Sequence, residues 1–174
     1  MFSSQLLLVW SYSSLQVDVG EKQLMITATG HILESSSMLP RSLTIDLSFS
    51  KILKNPPQVF IQTQYMDWKQ DLPGGFILQV SFINTKGFKI IVIAVSPQPL
   101  YQVFVNWFAF DDPRIQVLSF ETEDVQQLKT GQGNRIMSYQ IGHDLKDASN
   151  GVIGIIGIKH IALDKSMVEF KVIL

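Results

Sequence analysis

The sequence predicts an all-β protein of the sandwich or barrel class. Apolar and polar residues alternate with a period of two along most of the chain, the pattern of strands that bury one face. β-Branched and aromatic side chains fill these stretches, and proline and glycine stand between them. Helix signals are few. The best candidate, Glu121–Lys129, has only Val125 and Leu128 as apolar residues.

Five strands follow from this alternation. The first three each present one apolar set of alternate residues: Ile45, Leu47 and Phe49; Val59, Ile61 and Thr63; and Phe76, Leu78, Val80 and Phe82. The next two strands, Phe88–Val95 and Val103–Phe110, are largely apolar on both faces. We expect these two to be buried twice, by the core on one face and by another surface on the other.

The connections between the strands carry turn-forming residues. Short strands separated in this way are typical of a sandwich or barrel. Proline is absent from the strands themselves, which agrees with its exclusion from the interior of a sheet. The turn segments are Asn55–Pro57, Leu72–Gly75, Asn84–Gly87, Ser96–Pro99 and Asp111–Pro113.

Composition and charge exclude several function classes. The 174 residues include 14 Lys+Arg and 15 Asp+Glu, for a net charge of −1. Such a chain has no positive field for nucleic acid or an anionic membrane surface, so we expect neutral molecules or proteins as partners. Cysteine is absent, which excludes disulfides, thiol nucleophiles and cysteine-ligated metals. Apolar stretches such as Ile90–Val95 fall far short of the roughly 20 residues that span a bilayer, so no membrane insertion is expected.

The residues suggest no catalytic or metal site. The histidines are scattered, and no metal-spaced pair or nucleophile motif accompanies them. We therefore expect a non-enzymatic protein with no catalytic residues, no metal and no cofactor. Asp111 and Asp112 with Asp124 could bind a hard cation, although a solvated turn is the simpler account. The three histidines are His31, His143 and His160.

An internal repeat divides the chain. Leu8–Tyr12 resembles Val105–Ala109, which begins 97 residues later (105 − 8 = 97). Ile156–Ile158 loosely resembles Val59–Ile61 at the same distance along the chain (156 − 59 = 97). We interpret this as a complete unit at 13–110, preceded by the last strand of another unit at 1–12 and followed by a partial unit at 111–174. Either the chain belongs to a longer tandem array, or residues 1–12 add their strand to the partial unit, in cis or from a neighbouring chain. Shared β-strand composition is the alternative explanation.

Within the complete unit, an ordered series of short motifs points to a family. These are Asn55–Phe60, Asp67, Gly87–Lys89 and Tyr101–Trp107. In this order and spacing, the stretch from about Leu43 to Phe110 resembles the H-type lectin domain of snail agglutinins and discoidins. The resemblance implies a six-stranded antiparallel β-sandwich, usually trimeric, that binds galactose or N-acetylgalactosamine without catalysis or cofactor. It favours an extracellular or cell-surface location and a role in cell adhesion, with intracellular assembly left open.

The sugar-site positions that the resemblance implies have changed. In the family, an arginine and a Trp-His pair hold the sugar, and these positions fall here on Gly75 and on Val95 and Ser96. None of the three can bind a sugar in the same way, because they provide neither the hydrogen-bond donors of an arginine nor the face of an indole for stacking. Trp68 or Tyr65 could form a displaced stacking platform, although a tryptophan beside a turn is more often a packing residue.

Two functions remain open. The residues favour a non-catalytic lectin-like structural module that makes protein–protein contacts in an oligomer or larger complex, with copies of itself or with other proteins. The alternative is a lectin for neutral galactose- or N-acetylgalactosamine-type glycans. For the assembly module, we predict that the contacts involve apolar side chains of the two doubly apolar strands: Ile91, Ile93, Val95, Phe104, Phe108 and Phe110.

Overall fold

Seven strands and one short helix make up the described part of the computed structural model, which comprises residues 16–25, 30–35, 38–69, 74–117 and 160–163. The helix α1 is a single turn in the connection between the first two strands. In chain order the elements are β1 (Gln16–Met25), α1 (Ile32–Ser35), β2 (Arg41–Ser48), β3 (Gln58–Trp68), β4 (Gly74–Ser81), β5 (Gly87–Ala94), β6 (Leu100–Asp111) and β7 (His160–Leu163).

The strands form two antiparallel sheets that pack face to face. Sheet A has the order β1-β6-β3, and sheet B has the order β2-β5-β4-β7. The first six strands form the sandwich, which confirms the all-β fold class and the six-stranded antiparallel architecture. Strand β7 is an addition: it pairs with Gly74–Ile77 and so extends the edge of sheet B.

The core between the sheets is filled by alternate residues of the two central strands. Because successive side chains of a strand point to opposite faces, one set of each strand faces inward. Burial of these residues confirms that one apolar face of each strand lies in the core. The inward sets are Phe88, Ile90, Val92 and Ala94 from β5, and Val103, Val105, Trp107 and Ala109 from β6.

Trp107 lies at the centre of an aromatic cluster. Its ring centroid is 5.6 Å from that of Phe49 and 5.4 Å from that of Phe88. Strand β1 passes directly over the indole at Gly20, where an added Cβ would lie 2.4 Å from Cζ2 of Trp107. Glycine is therefore required at this position because β1 and the indole approach so closely.

The first half of β1 has no large apolar side chain on its inner face, which explains why hydropathy gives no sign of this strand. Asp18 points inward and is buried, and it accepts hydrogen bonds from the backbone N and the hydroxyl of Ser50, both at 2.6 Å. Gly20 also faces inward, directly against the indole of Trp107. Val17 and Val19 alternate with these residues and point to the outer face of sheet A, whereas Leu24 and Met25 at the end of β1 are buried in the core.

The expected position of Phe82 on the buried face of its strand is wrong. Strand β4 ends at Ser81, and Phe82 has a φ of 50°, in the left-handed region. A tight turn causes this ending: the side-chain oxygen of Asn84 accepts hydrogen bonds from the backbone N of Lys86 (2.7 Å) and of Gly87 (3.2 Å). The ring of Phe82 is 74% exposed as a result.

Some predictions fall on residues outside the described part of the chain. They include the strand at 1–12, the helix at Glu121–Lys129, the position of His143 and nearly all of the partial unit at 111–174. The division of the chain into one complete and two partial units stays a prediction. Among the described residues, no helix is long and apolar enough to cross a membrane.

Candidate functional site

The three positions implied for a sugar site lie together at one end of the sandwich. We call this the upper end; here residues 95–99 connect β5 to β6. Val95 follows β5, and its backbone N donates a hydrogen bond to the carbonyl of Gly75 at 3.1 Å. Gly75 is buried, and Ser96 is half-buried. The structure thus brings these positions together, but they present neither a cation nor an aromatic ring.

An arginine occupies this corner, but it faces inward. Arg41 begins β2 opposite Ala94, and it is only 3% exposed. Its Nη2 donates to the carbonyl of Ser96 at 2.9 Å and to the carbonyl of Gln98. Burial lowers the pKa of Arg41 from its ordinary value, yet an arginine stays protonated. The guanidinium therefore anchors the 95–99 connection.

The sequence reasoning did not single out Arg41 as part of this corner. Its signal in the sequence is a charged residue in the first position of a strand, and this does not by itself distinguish a buried strand end from a solvent-exposed one. Only the pairing of β2 with β5, which places Arg41 opposite Ala94, brings it beside Val95 and Ser96.

Of the two rings considered as a displaced stacking platform, one faces solvent. Trp68 is partly buried and packs against the core, as a packing residue would. Tyr65 is half-exposed on the outer face of sheet A, directly opposite Phe104. His31 is also structural, since its Nε2 lies 3.2 Å from the carbonyl oxygen of Tyr101, to which it donates.

The outer face of sheet B carries one group of the predicted contact residues. Ile91, Ile93 and Val95 alternate with the buried set of β5 and therefore point outward. Ile77 lies opposite Ile93 on β4 and extends the group. Polar residues border it: Ser42 and Thr44 on β2, and Gln79 on β4.

The outer face of sheet A carries the other group. We call the side chains of Val17, Val19, Phe60, Phe108 and Phe110 the sheet A apolar face. A row of three crosses all strands of the sheet, because both Val19 and Phe60 lie opposite Phe108. The ring of Phe108 is 6.0 Å from that of Phe60 and stacks on that of Phe110 at 6.3 Å.

A polar row separates this apolar face from Phe104. Asn106 has Glu21 and Gln62 opposite it on the two edge strands, and beyond this row Phe104 lies opposite Gln23 and Tyr65. The sheet A apolar face is therefore bounded by hydrogen-bonding groups on this side, which is the arrangement of an apolar centre with a polar rim.

The six predicted contact residues thus divide between opposite sides of the molecule. Ile91, Ile93 and Val95 lie on sheet B, whereas Phe104, Phe108 and Phe110 lie on sheet A, so one flat contact cannot include both groups. The sequence reasoning also missed Val17, Val19 and Phe60. The available signal was the alternation of Val17 and Val19 with Asp18 and Gly20. By hydropathy, this alternation suggests that the valines face the core and that Asp18 faces solvent, which is the reverse of the structure.

We call the opposite end of the sandwich the lower end. Here the adjacent aspartates at the end of β6 accept hydrogen bonds from neighbouring residues. Asp111 accepts hydrogen bonds from the side chain and the backbone N of Asn55, which lower its pKa. Asp112 is buried, and hydrogen bonds from the Arg114 side chain lower its pKa. Among the described residues no cluster of three or more acidic or histidine side chains is arranged to hold a metal ion. Asp124 lies outside the described part.

The central part of the sandwich is similar to a known domain family. Residues 44–110 match the model of the H-type lectin domain. The resemblance that the motifs of this segment indicate is thereby confirmed. Strands β3 to β5 and all of β6 but its last residue lie inside the match, which begins within β2, whereas β1 and β7 lie outside it.

Two solved structures of discoidin II from Dictyostelium discoideum are similar to the chain. The native structure of the recombinant protein is 23% identical with a TM-score of 0.47, and the wild-type structure is 22% identical with a TM-score of 0.48. Each alignment covers 59% of this chain and 39% of the discoidin II chain, so the similarity spans well under half of that protein. No curated protein matches the chain.

Proposed function

We propose that this chain is a non-catalytic, lectin-like assembly module that makes protein–protein contacts in an oligomer or larger complex. The observation that carries the proposal is the sheet A apolar face. Val19 remains 57% exposed in the row that also contains Phe60 and Phe108. The four other side chains of this face are partly exposed. A contiguous group of aromatic and aliphatic side chains that is at least partly exposed is typical of the core of a protein interface.

The state of the sugar-site corner supports the same proposal. Gly75 and Val95 offer no side-chain hydrogen-bond donor, and the Arg41 guanidinium is held by backbone carbonyls. A sugar site needs several directed polar groups around one aromatic platform, since its ligand is covered with hydroxyls. The described residues of the corner do not supply that set of groups.

A charge placed at the centre of the apolar face tests the proposal. Phe108→Asp is expected to weaken assembly at least a hundredfold, because a buried unpaired carboxylate costs more than about 2.7 kcal/mol. In size-exclusion chromatography with light scattering, the variant should move from a multiple of 19.6 kDa towards the monomer mass.

Ile93→Asp is the matched control, since it places the same charge on the opposite face. If sheet A carries the main contact, Ile93→Asp keeps the wild-type mass. If sheet B carries it, Ile93→Asp moves towards the monomer mass and Phe108→Asp keeps the wild-type mass. Circular dichroism verifies that both variants fold. A wild-type protein that is monomeric at all concentrations and retains no partner, or two variants with unchanged mass, would refute the assembly proposal.

Glycan recognition is the second candidate, and Tyr65 favours it. This ring is half-exposed and lies opposite Phe104, so the two form an aromatic surface on which a pyranose could stack. A glycan array probed with multivalent protein should then give galactose or N-acetylgalactosamine signals. A blank array under those conditions removes this candidate and leaves the assembly proposal untouched.

A further inference from the structure

The lower end of the sandwich exposes apolar side chains on two neighbouring connections. Phe82 is 74% exposed in the β4–β5 connection, and Ile52 is 71% exposed in the β2–β3 connection. Ile83 follows Phe82 and is also exposed. We call Ile52, Phe82 and Ile83 the apolar tip. None of them belongs to the sheet faces described above.

Backbone hydrogen bonds hold the two connections side by side. The N of Phe49 donates to the carbonyl of Lys86 at 2.8 Å, and the N of Leu53 donates to the carbonyl of Thr85 at 2.9 Å. The apolar tip is thus presented by two ordered loops that are tied to each other, and its side chains project from one end of the molecule.

The backbone of Phe82 is unusual for an exposed residue. A φ of 50° is disfavoured for a bulky side chain, and the exposed ring gives no core packing in return. The ring lies near the side chain of Lys89, whose ammonium is 5.6 Å from the ring centroid. Folding alone gives no reason for an aromatic residue here, whereas a binding surface for its ring does.

Lysines flank the apolar tip on both connections. Lys51 and Lys54 adjoin Ile52, Lys86 lies across from them, and all three are exposed. Lys54 lies close to Asp111 and helps to lower the pKa of that carboxyl, so Lys51 and Lys86 are the lysines of the tip that remain for an external partner. In the described residues neither of these two lysines forms an ion pair with a carboxylate.

The net charge of −1 does not oppose this local field. Charges farther apart than a screening length of about 8 Å at physiological salt scarcely influence each other, so a docked surface senses the lysines of the tip more than the whole chain. Exposed aromatic and aliphatic side chains next to lysines are the combination that favours the interface of an anionic membrane.

We propose that the lower end docks on an anionic phospholipid membrane surface. Phe82, Ile52 and Ile83 enter the headgroup and upper acyl region, and Lys51 and Lys86 meet the lipid phosphates. The contact is peripheral and reversible, because three side chains bury little apolar area. It leaves the outer faces of both sheets free, so it is independent of the assembly proposal.

Vesicle co-sedimentation tests this proposal with the full chain. The protein should pellet with phosphatidylcholine–phosphatidylserine vesicles, pellet poorly with pure phosphatidylcholine, and be released by salt. Phe82→Asn and Ile52→Asn should each weaken binding about tenfold, the effect of losing roughly 1.4 kcal/mol of apolar burial. The double variant Lys51→Glu/Lys86→Glu should weaken binding by at least as much.

Matched controls separate the tip from the rest of the surface. Met38→Asn removes an apolar side chain that is 79% exposed at the upper end, and Lys22→Glu reverses an exposed lysine on β1. Both should bind vesicles as the wild type does. Asparagine tolerates the left-handed conformation, so Phe82→Asn should melt at the wild-type temperature or above it, and its loss of binding cannot be caused by unfolding.

Several outcomes would overturn the proposal. The wild-type protein could fail to pellet with the anionic vesicles, or it could bind equally well to pure phosphatidylcholine. The tip variants could bind as the wild type does, or Met38→Asn could lose as much binding as Phe82→Asn. Normal vesicle binding by the tip variants together with loss of a protein partner would assign the apolar tip to protein recognition instead.

Discussion

The close approach of β1 to Trp107 makes Gly20→Ala a sensitive test of the core. The new Cβ would lie 2.4 Å from Cζ2, 2.6 Å from Cε2 and 2.8 Å from Nε1 of the indole. The ring cannot easily retreat, because Phe49 and Phe88 pack against it at centroid distances of 5.6 and 5.4 Å. Strand β1 must therefore move outward, or the aromatic cluster must distort.

The expected loss can be estimated from two contributions. Overpacking a well-filled core costs about 1–3 kcal/mol. Outward movement of β1 also strains the hydrogen bonds between Asp18 and Ser50, and an unsatisfied buried group costs about 1–3 kcal/mol. Since alanine otherwise gains roughly 0.5–1 kcal/mol over glycine in a strand, we expect the free energy of unfolding to fall by about 1–5 kcal/mol.

Urea denaturation followed by circular dichroism measures this change, and a double-mutant cycle tests its cause. Trp107→Phe destabilises the core by itself, but it removes the outer indole atoms that the new Cβ would meet. The loss in Gly20→Ala/Trp107→Phe should therefore be smaller than the sum of the single losses by more than about 0.5 kcal/mol. Additive losses, or a Gly20→Ala variant as stable as the wild type, would refute the steric explanation.

Two further predictions concern buried charged groups. Because hydrogen bonds from Arg114 lower the folded pKa of Asp112, its stabilising contribution is present above the unfolded value near 3.9 and is lost as pH falls through the lower folded value. Asp112→Asn should therefore lower the urea midpoint at pH 7, and the gap to the wild type should narrow towards pH 3. Arg41→Met removes the donors to the carbonyls of Ser96 and Gln98. Exchange of the amide hydrogens in the 95–99 connection, which are those of Val95, Ser96 and Gln98, should therefore accelerate while exchange in β5 stays protected.

Local sequence patterns were enough to predict most of the sandwich. The alternation in β3 and β6 specified which side chains face the core, and the turn at Asn84 separated β4 from β5. Strand β1 could not be found in this way, because Asp18 and Gly20 occupy its inner face and depend on partners far along the chain. The exposed ring of Phe82 was missed because turn geometry, not hydropathy, ends its strand.

The candidate surfaces were predicted only in part, for a related reason. Alternation showed that Ile93 and Phe108 point away from the core, but it could not show that they point in opposite directions. That depends on which sheet each strand joins, and strand pairing is set by contacts between distant residues. The position of Arg41 beside Ser96 depends on the same kind of pairing.

The region matched by the family, 44–110, is not equivalent to a folding unit. A fragment cut at those limits would lack β1, so β6 would become a sheet edge with unpaired backbone groups along its length. The indole of Trp107 would lose the strand that covers it, and Ser50 would lose its carboxylate partner. Exposed edges and uncovered aromatic residues promote aggregation, so a minimal domain that stays in solution has to include β1 and begin no later than Gln16.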